Sequence, residues 1–111
     1  MTPRLKAHIW VAAYIRRCND AGVPAMLRHR GDAQAGSVLI KLNRLDGTAC
    51  VLSPSFGMAG ERLWLKATGA APVPEANADA YIAKRRARDP DLWVVEVETR
   101  EGNAMLDEPV V

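Results

Sequence analysis

Apolar positions along the 111-residue chain follow two rhythms. Between Lys6 and Ala21 the spacing is helical: Ile9, Ala12, Ala13 and Arg16 make one i, i+3, i+4 row, and Val11, Tyr14, Ile15 and Cys18 make another. Apolar side chains take up most of the circumference, which predicts a largely buried helix. Arg16 and Arg17 suit the negative end of its dipole, and Gly22 with Pro24 beyond it predicts the stop. From Ala25 the rhythm becomes alternation. Ala25 to Arg30 and Ser37 to Arg44 read as strands, the second with Val38, Ile40 and Leu42 on its core face. Asp46-Gly47 predicts a two-residue type I′ turn that pairs Leu42 with Val51 and Ile40 with Ser53. That register places Val38, Ile40, Leu42, Ala49 and Val51 on one face.

Arg62 to Ala67 reads as a fourth strand, with Leu63 and Leu65 inward and Arg62, Trp64 and Lys66 outward. Thr68 to Pro74 is a linker. Glu75 to Arg88 predicts a second helix, acidic early and basic late, with a narrow stripe of Ala78, Tyr81 and Ile82. Asp89-Pro90 ends it. Leu92 to Thr99 is a strong strand, and Ala104 to Asp107 is expected to add a short edge strand. The expected fold class is α+β: a single antiparallel sheet of five or six strands with two helices on one face, in the order α-β-β-β-β-α-β-(β). Residues 1–111 are expected to form one globular domain.

Composition changes this picture little. The chain is 49% hydrophobic and 25% charged, enough apolar content for a packed core and too much for disorder. A formal charge of +2 argues against a dedicated polyanion binder, which carries a stronger basic excess. Cys18 and Cys50 form no C-x-x-C pair and read as reduced, buried thiols of a cytoplasmic protein. Arg4 and Lys6 precede an apolar run from Ala7 to Ile15 that mimics a signal peptide. The run contains His8 and ends at Arg16-Arg17 without a small-x-small cleavage site. It is also too short to span a bilayer, so no membrane association is expected.

The chemistry-bearing residues form no recognisable catalytic set. Asp91, Glu96 and Glu98 resemble part of a metal-dependent nuclease core. Their spacing, however, puts them on one strand or its edge, and Glu98 stands where a lysine is needed. Solvated acids on an antiparallel strand explain them more simply. His8 and His29 lack metal-ligand spacing, and Ser37, Ser53 and Ser55 lack a nucleophile elbow. The glycine-containing loops at residues 31–36 and 57–60 precede no helix, so they make no phosphate cradle. Catalytic, cofactor and metal residues are therefore assigned to none of these.

The strand phases leave one sheet face uncovered, carrying Arg28, Arg30, Lys41 and Lys66 among Met26, Leu39, Leu52, Trp64, Leu92 and Val94. An apolar patch rimmed by charge suggests an interaction surface. The candidate face is Arg28, Arg30, Leu39, Lys41, Leu52, Trp64 and Lys66, with Lys84, Arg85, Arg86 and Arg88 as a secondary basic cluster. The expected function is a non-enzymatic binding or self-association module, using this face for a homodimer or a protein partner. The alternative is weak binding of nucleic acid or another anionic ligand by the same basic residues. A small enzyme without a visible motif comes third.

Three runs carry a resemblance: W-V-A-A-Y-I-R-R at Trp10 to Arg17, K-L-N-R-L-D-G-T at Lys41 to Thr48, and D-P-D-L-W-V-V-E-V-E at Asp89 to Glu98. In this order they resemble the bacterial family catalogued as domain of unknown function 1491. The resemblance implies a single-domain bacterial protein and no activity, ligand or site residue.

Overall fold

A computed structural model describes residues 5–111; Arg4 lies outside the described residues. Helix α1 spans Ala7–Asp20, and the second helix, α2, spans Glu75–Arg88. The strands are β1 (Ala25–His29), β2 (Val38–Asn43), β3 (Thr48–Phe56), β4 (Arg62–Lys66), β5 (Val73–Pro74) and β6 (Trp93–Glu98). The α1 stop follows from Gly22, which takes φ +79°. Its N–H donates to the Asn19 carbonyl at 3.0 Å, and the Val23 N–H donates to the Cys18 carbonyl at 2.9 Å. These two bonds satisfy helix-end carbonyls, and Val23 packs on the core beside Cys18.

The sheet order is β1-β6-β2-β3-β4, with β5 paired to the start of β3. Most pairs are antiparallel, but β2 and β6 run parallel, so the sheet is mixed. The expected α+β class and antiparallel sheet hold but for this one pair. The long return through α2 delivers β6 into the middle of the sheet in the direction of β2. The expected edge strand at Ala104–Asp107 does not form. Instead Trp64 makes a parallel bridge to Val110, and the tail lines the outer edge of β4.

The helices lie on opposite faces, not on one. Val11, Tyr14 and Cys18 of α1 pack with Ile40, Leu52, Val95 and Val97; Ala78 and Ile82 of α2 pack with Leu39, Val51, Leu92 and Val94. The physical reason is visible in β2 and β6, whose apolar side chains point both ways. Central strands with near-continuous apolar runs need cover on both sides. The hairpin register is also one residue from expectation. Leu42 pairs with Cys50 and Ile40 with Leu52, because Arg44 closes on Thr48 around three loop residues. Leu45 takes φ +62°, Gly47 takes φ +88°, and the Asp46 carboxylate accepts from the Thr48 N–H and hydroxyl. A one-residue slip moves alternate side chains across the sheet. Cys50 and Leu52 therefore join Ile40 and Leu42 on the α1 side of the sheet, while Ala49 and Val51 face α2.

The phase of β4 is reversed as well. Trp64 is 6% exposed, whereas Leu65 is 43% exposed. The Trp64 ring lies 5.7 Å from Trp10, which stacks on Tyr14 at 5.0 Å, and its Nε1 donates to Glu108. Tyr14 donates to the Ala104 carbonyl at 2.6 Å, and Arg17 to the Met105 carbonyl at 2.6 Å. The C-terminal segment thus completes the α1-side layer together with the helix.

Candidate functional site

With both faces covered, the sequence-derived open face is dispersed. Leu39 lies buried beneath α2 and Leu52 beneath the α1-side layer, where Trp64 also sits. Lys66 is the register partner of Leu52 and shares its face. Arg30 stacks over Trp93 at 5.6 Å. The seven proposed residues thus divide between the two faces: Arg28 and Lys41 come together in a cleft on the α2 side, and Leu52, Trp64 and Lys66 lie on the α1 side. In the secondary cluster, Arg85 donates to the Tyr81 hydroxyl at 2.9 Å and to Ser53 at 3.3 Å, while Lys84 and Arg88 stay exposed. Arg86 alone reaches the same cleft as Arg28 and Lys41.

That cleft starts from the pairing of the two central strands. Lys41 on β2 and Glu96 on β6 are register partners, so both side chains project toward α2. Burial leaves Lys41 5% exposed and Glu96 4% exposed. Charges this deep require partners. Glu75 and Asp79, one turn apart on α2, supply them: the Lys41 ammonium donates to each at 2.7 Å and lies 3.6 Å from Glu96. Glu96 accepts from Arg28 Nε at 2.9 Å and from Asn43 Nδ2 at 3.0 Å. Glu75 at the start of α2 also meets the helix dipole favourably.

The electrostatics follow from these contacts. Burial opposes the Lys41 charge, but its bonds to Asp79 and Glu75 and the Glu96 charge outweigh burial and raise its pKa. Burial also opposes ionisation of Glu96, yet Arg28, Asn43 and Lys41 together hold it below the usual carboxylate range. Both groups stay charged across neutral pH. The β1–β6 register shifts between Leu27 and His29, and the bulge lets consecutive residues Arg28 and His29 both line the cleft. Partial burial, then the charges of Arg86 and Arg28, lower the His29 pKa. The cleft encloses about 360 Å³. Its inner end is the saturated ion network, and Arg28, His29 and Arg86 stand along its wall.

Sequence reasoning missed Glu96, Asn43, Glu75, Asp79 and His29 as members of this constellation. Glu96 was expected to be solvated, and its burial corrects that expectation. The available signal was a charged residue inside the near-continuous apolar run Trp93 to Val97, which marks a strand buried on both faces. The nuclease-like trio does not assemble: Asp91 is in a loop, where its carbonyl accepts from the Asp32 N–H. No group of three His, Cys, Asp or Glu side chains among the described residues is arranged to hold a metal ion. Among the described residues no helix is long and apolar enough to cross a membrane.

Comparison with known proteins adds the family. No curated protein matches the chain significantly. A crystal structure of a DUF1491 family protein from Caulobacter crescentus CB15 is 42% identical, with a TM-score of 0.86, covering 97% of this chain and 100% of that one. An NMR structure of a DUF1491 family protein from the same organism is 41% identical, with a TM-score of 0.83 and 99% of each chain covered. A solution structure of a protein from A. tumefaciens is 31% identical, with a TM-score of 0.78, covering 96% of this chain and 95% of that one. The family described as protein of unknown function (DUF1491) matches residues 5–107, and this chain belongs to it.

Proposed function

We propose that the protein is a binding module whose ligand presents an anionic group to Arg28, His29 and Arg86 in the cleft between α2 and the sheet. The observation that carries this reading is the division of labour inside the cleft. The acids there are occupied by Lys41, Asn43 and Arg28, while no acid pairs with Arg86 or His29 among the described residues. Partial burial comes first in lowering the His29 pKa, and the charges of Arg86 and Arg28 add to it; a bound anion would offset those two charges. Binding is favoured over acid–base catalysis because Lys41 stays protonated and Glu96 ionised near neutral pH, so neither is poised to exchange a proton there. Cys18 and Cys50 as free, buried thiols fit a reducing cytoplasm.

The test is an NMR titration of the His29 imidazole with inorganic phosphate and with a short single-stranded oligonucleotide. Phosphate should raise the His29 pKa, and Arg86→Ala should weaken its binding about tenfold, the worth of one charge-assisted contact. An unmoved His29 resonance at high phosphate ends the reading. A response to the oligonucleotide alone would transfer it to nucleic acid.

Self-association is the second reading. Phe56, Met58 and Leu65 expose much of their surface around the β3–β4 hairpin, which favours a homodimer or protein partner docking there. Light scattering at high concentration tests it: a strict monomer removes the homodimer.

A further inference from the structure

The opposite face of the sheet holds a second cavity, of about 270 Å³, under the C-terminal segment. Leu42, Cys50 and Leu52 form its floor, and Val110 contributes to its wall. Helix α1 packs chiefly against β1 and β6, so this part of β2 and β3 relies on the chain after Thr99 for cover. The cover is incomplete. Leu42 and Cys50 keep 5% and 7% exposure, while Leu52 and Ile40 in the same layer are fully buried.

Two cations stand at the cavity. Lys66 is exposed, and its ammonium has no hydrogen-bond or ion-pair partner among the described residues. Arg44 gives Nε and Nη2 to the Arg100 carbonyl and lies against Gly102, where an added Cβ would come within 3.2 Å of Nη1. Glu101 is the one acid lining the cavity, so the lining is net positive. An apolar floor beneath an unpartnered ammonium complements a molecule with a short hydrocarbon part and a single negative end.

We infer that this cavity binds a small carboxylate carrying a short hydrocarbon tail, with the tail over Leu42 and Cys50 and the carboxylate at Lys66. Its volume is below that of most drug-sized sites and limits the ligand to roughly ten heavy atoms. The site is separate from the cleft beside α2, because the sheet lies between them.

The experiment is a titration of methyl-labelled protein with hexanoate, hexanol and hexylamine, followed on Leu42, Leu52 and Val110. Hexanoate should shift these methyls saturably and leave Ile82 and Val94 unmoved. Hexanol should bind more weakly, and hexylamine should not bind. Lys66→Glu changes only an exposed side chain; it should weaken hexanoate about tenfold and leave hexanol unchanged. Ala70→Trp at the mouth should block both. N-acetylvaline, small enough for the same cavity, distinguishes a free acid from a peptide terminus carrying the same chemistry. Equal responses to hexanoate and hexylamine, an unaffected Lys66→Glu variant, or shifts confined to Ile82 and Val94 would overturn the assignment. None of these outcomes bears on phosphate binding at His29.

Discussion

Replacing Lys41 by Met removes the hub of the α2-side network while keeping a side chain of similar length. Two charge-assisted hydrogen bonds at 2.7 Å disappear, and Glu75, Asp79 and Glu96 are left facing one another. Glu75 and Asp79 are partly exposed and can rehydrate, so each lost bond costs about 1 kcal/mol net. Glu96 cannot rehydrate but keeps Arg28 and Asn43. Repulsion among the acids adds about 1 kcal/mol at the effective dielectric of a protein boundary. The expected loss is about 3 kcal/mol, a shift of about 2 M in urea midpoint for a domain of this size. Urea unfolding followed by tryptophan fluorescence measures it. The pH dependence separates electrostatics from packing. Protonating the acids removes the repulsion in Lys41→Met and the ion pairs of the parent alike, so the deficit should be full at pH 7 and should shrink as pH falls through the carboxylate range. Adding Glu96→Gln should recover about 1 kcal/mol at pH 7. A single variant within 0.5 kcal/mol of the parent, or a deficit constant from pH 7 to pH 4, would refute the reasoning.

Gly36→Ala should lower stability by at least about 2 kcal/mol, because its Cβ would collide with the Asp91 carbonyl and the Trp93 ring; thermal unfolding reads the loss. Trp10→Ala removes the ring between Tyr14 and Trp64 and should cost about 3 kcal/mol, with a change in near-ultraviolet dichroism. Stability should also be bounded at both ends of the pH scale. Lys41 has a raised pKa, so its contribution is complete below about pH 10.4 and fades as pH rises through the folded value. Glu96 and His29 have lowered values, so their contributions fade as pH falls, from about 6.5 for His29 and from about 4.3 for Glu96. Removing His29 as His29→Gln should flatten the urea midpoint between pH 6.5 and pH 5.

The helix α2 was legible to its end residues, since its charge order, apolar stripe and Asp89-Pro90 stop agree on Glu75–Arg88. The strands were legible as segments but not as faces. The turn at Asp46-Gly47 was readable, yet Leu45 entering the left-handed region added a loop residue and shifted every partner by one. Trp64 carries no local sign of its direction; its burial is decided by Trp10 and Glu108, both more than 40 residues away. The candidate cleft depends on Lys41, Glu96, Glu75 and Asp79 meeting across three elements, which local alternation does not encode. One physical clue was present throughout: a polar residue inside a doubly apolar run must find a charged or hydrogen-bonding partner from elsewhere.

The insertion of β6 between β1 and β2 imposes an order on synthesis. The β2-β3-β4 meander can close from neighbouring segments as soon as it is made, but β1 and β2 have no strand between them until Trp93–Glu98 emerges. A ribosome-bound chain ending before that point therefore presents two unmet edges, one of them rich in Val, Leu and Ile. Protection by holding chaperones would matter most in this interval. A nascent-chain force profile should register its main event only after residue 98 clears the exit; an equally strong event at residue 70 would contradict this order.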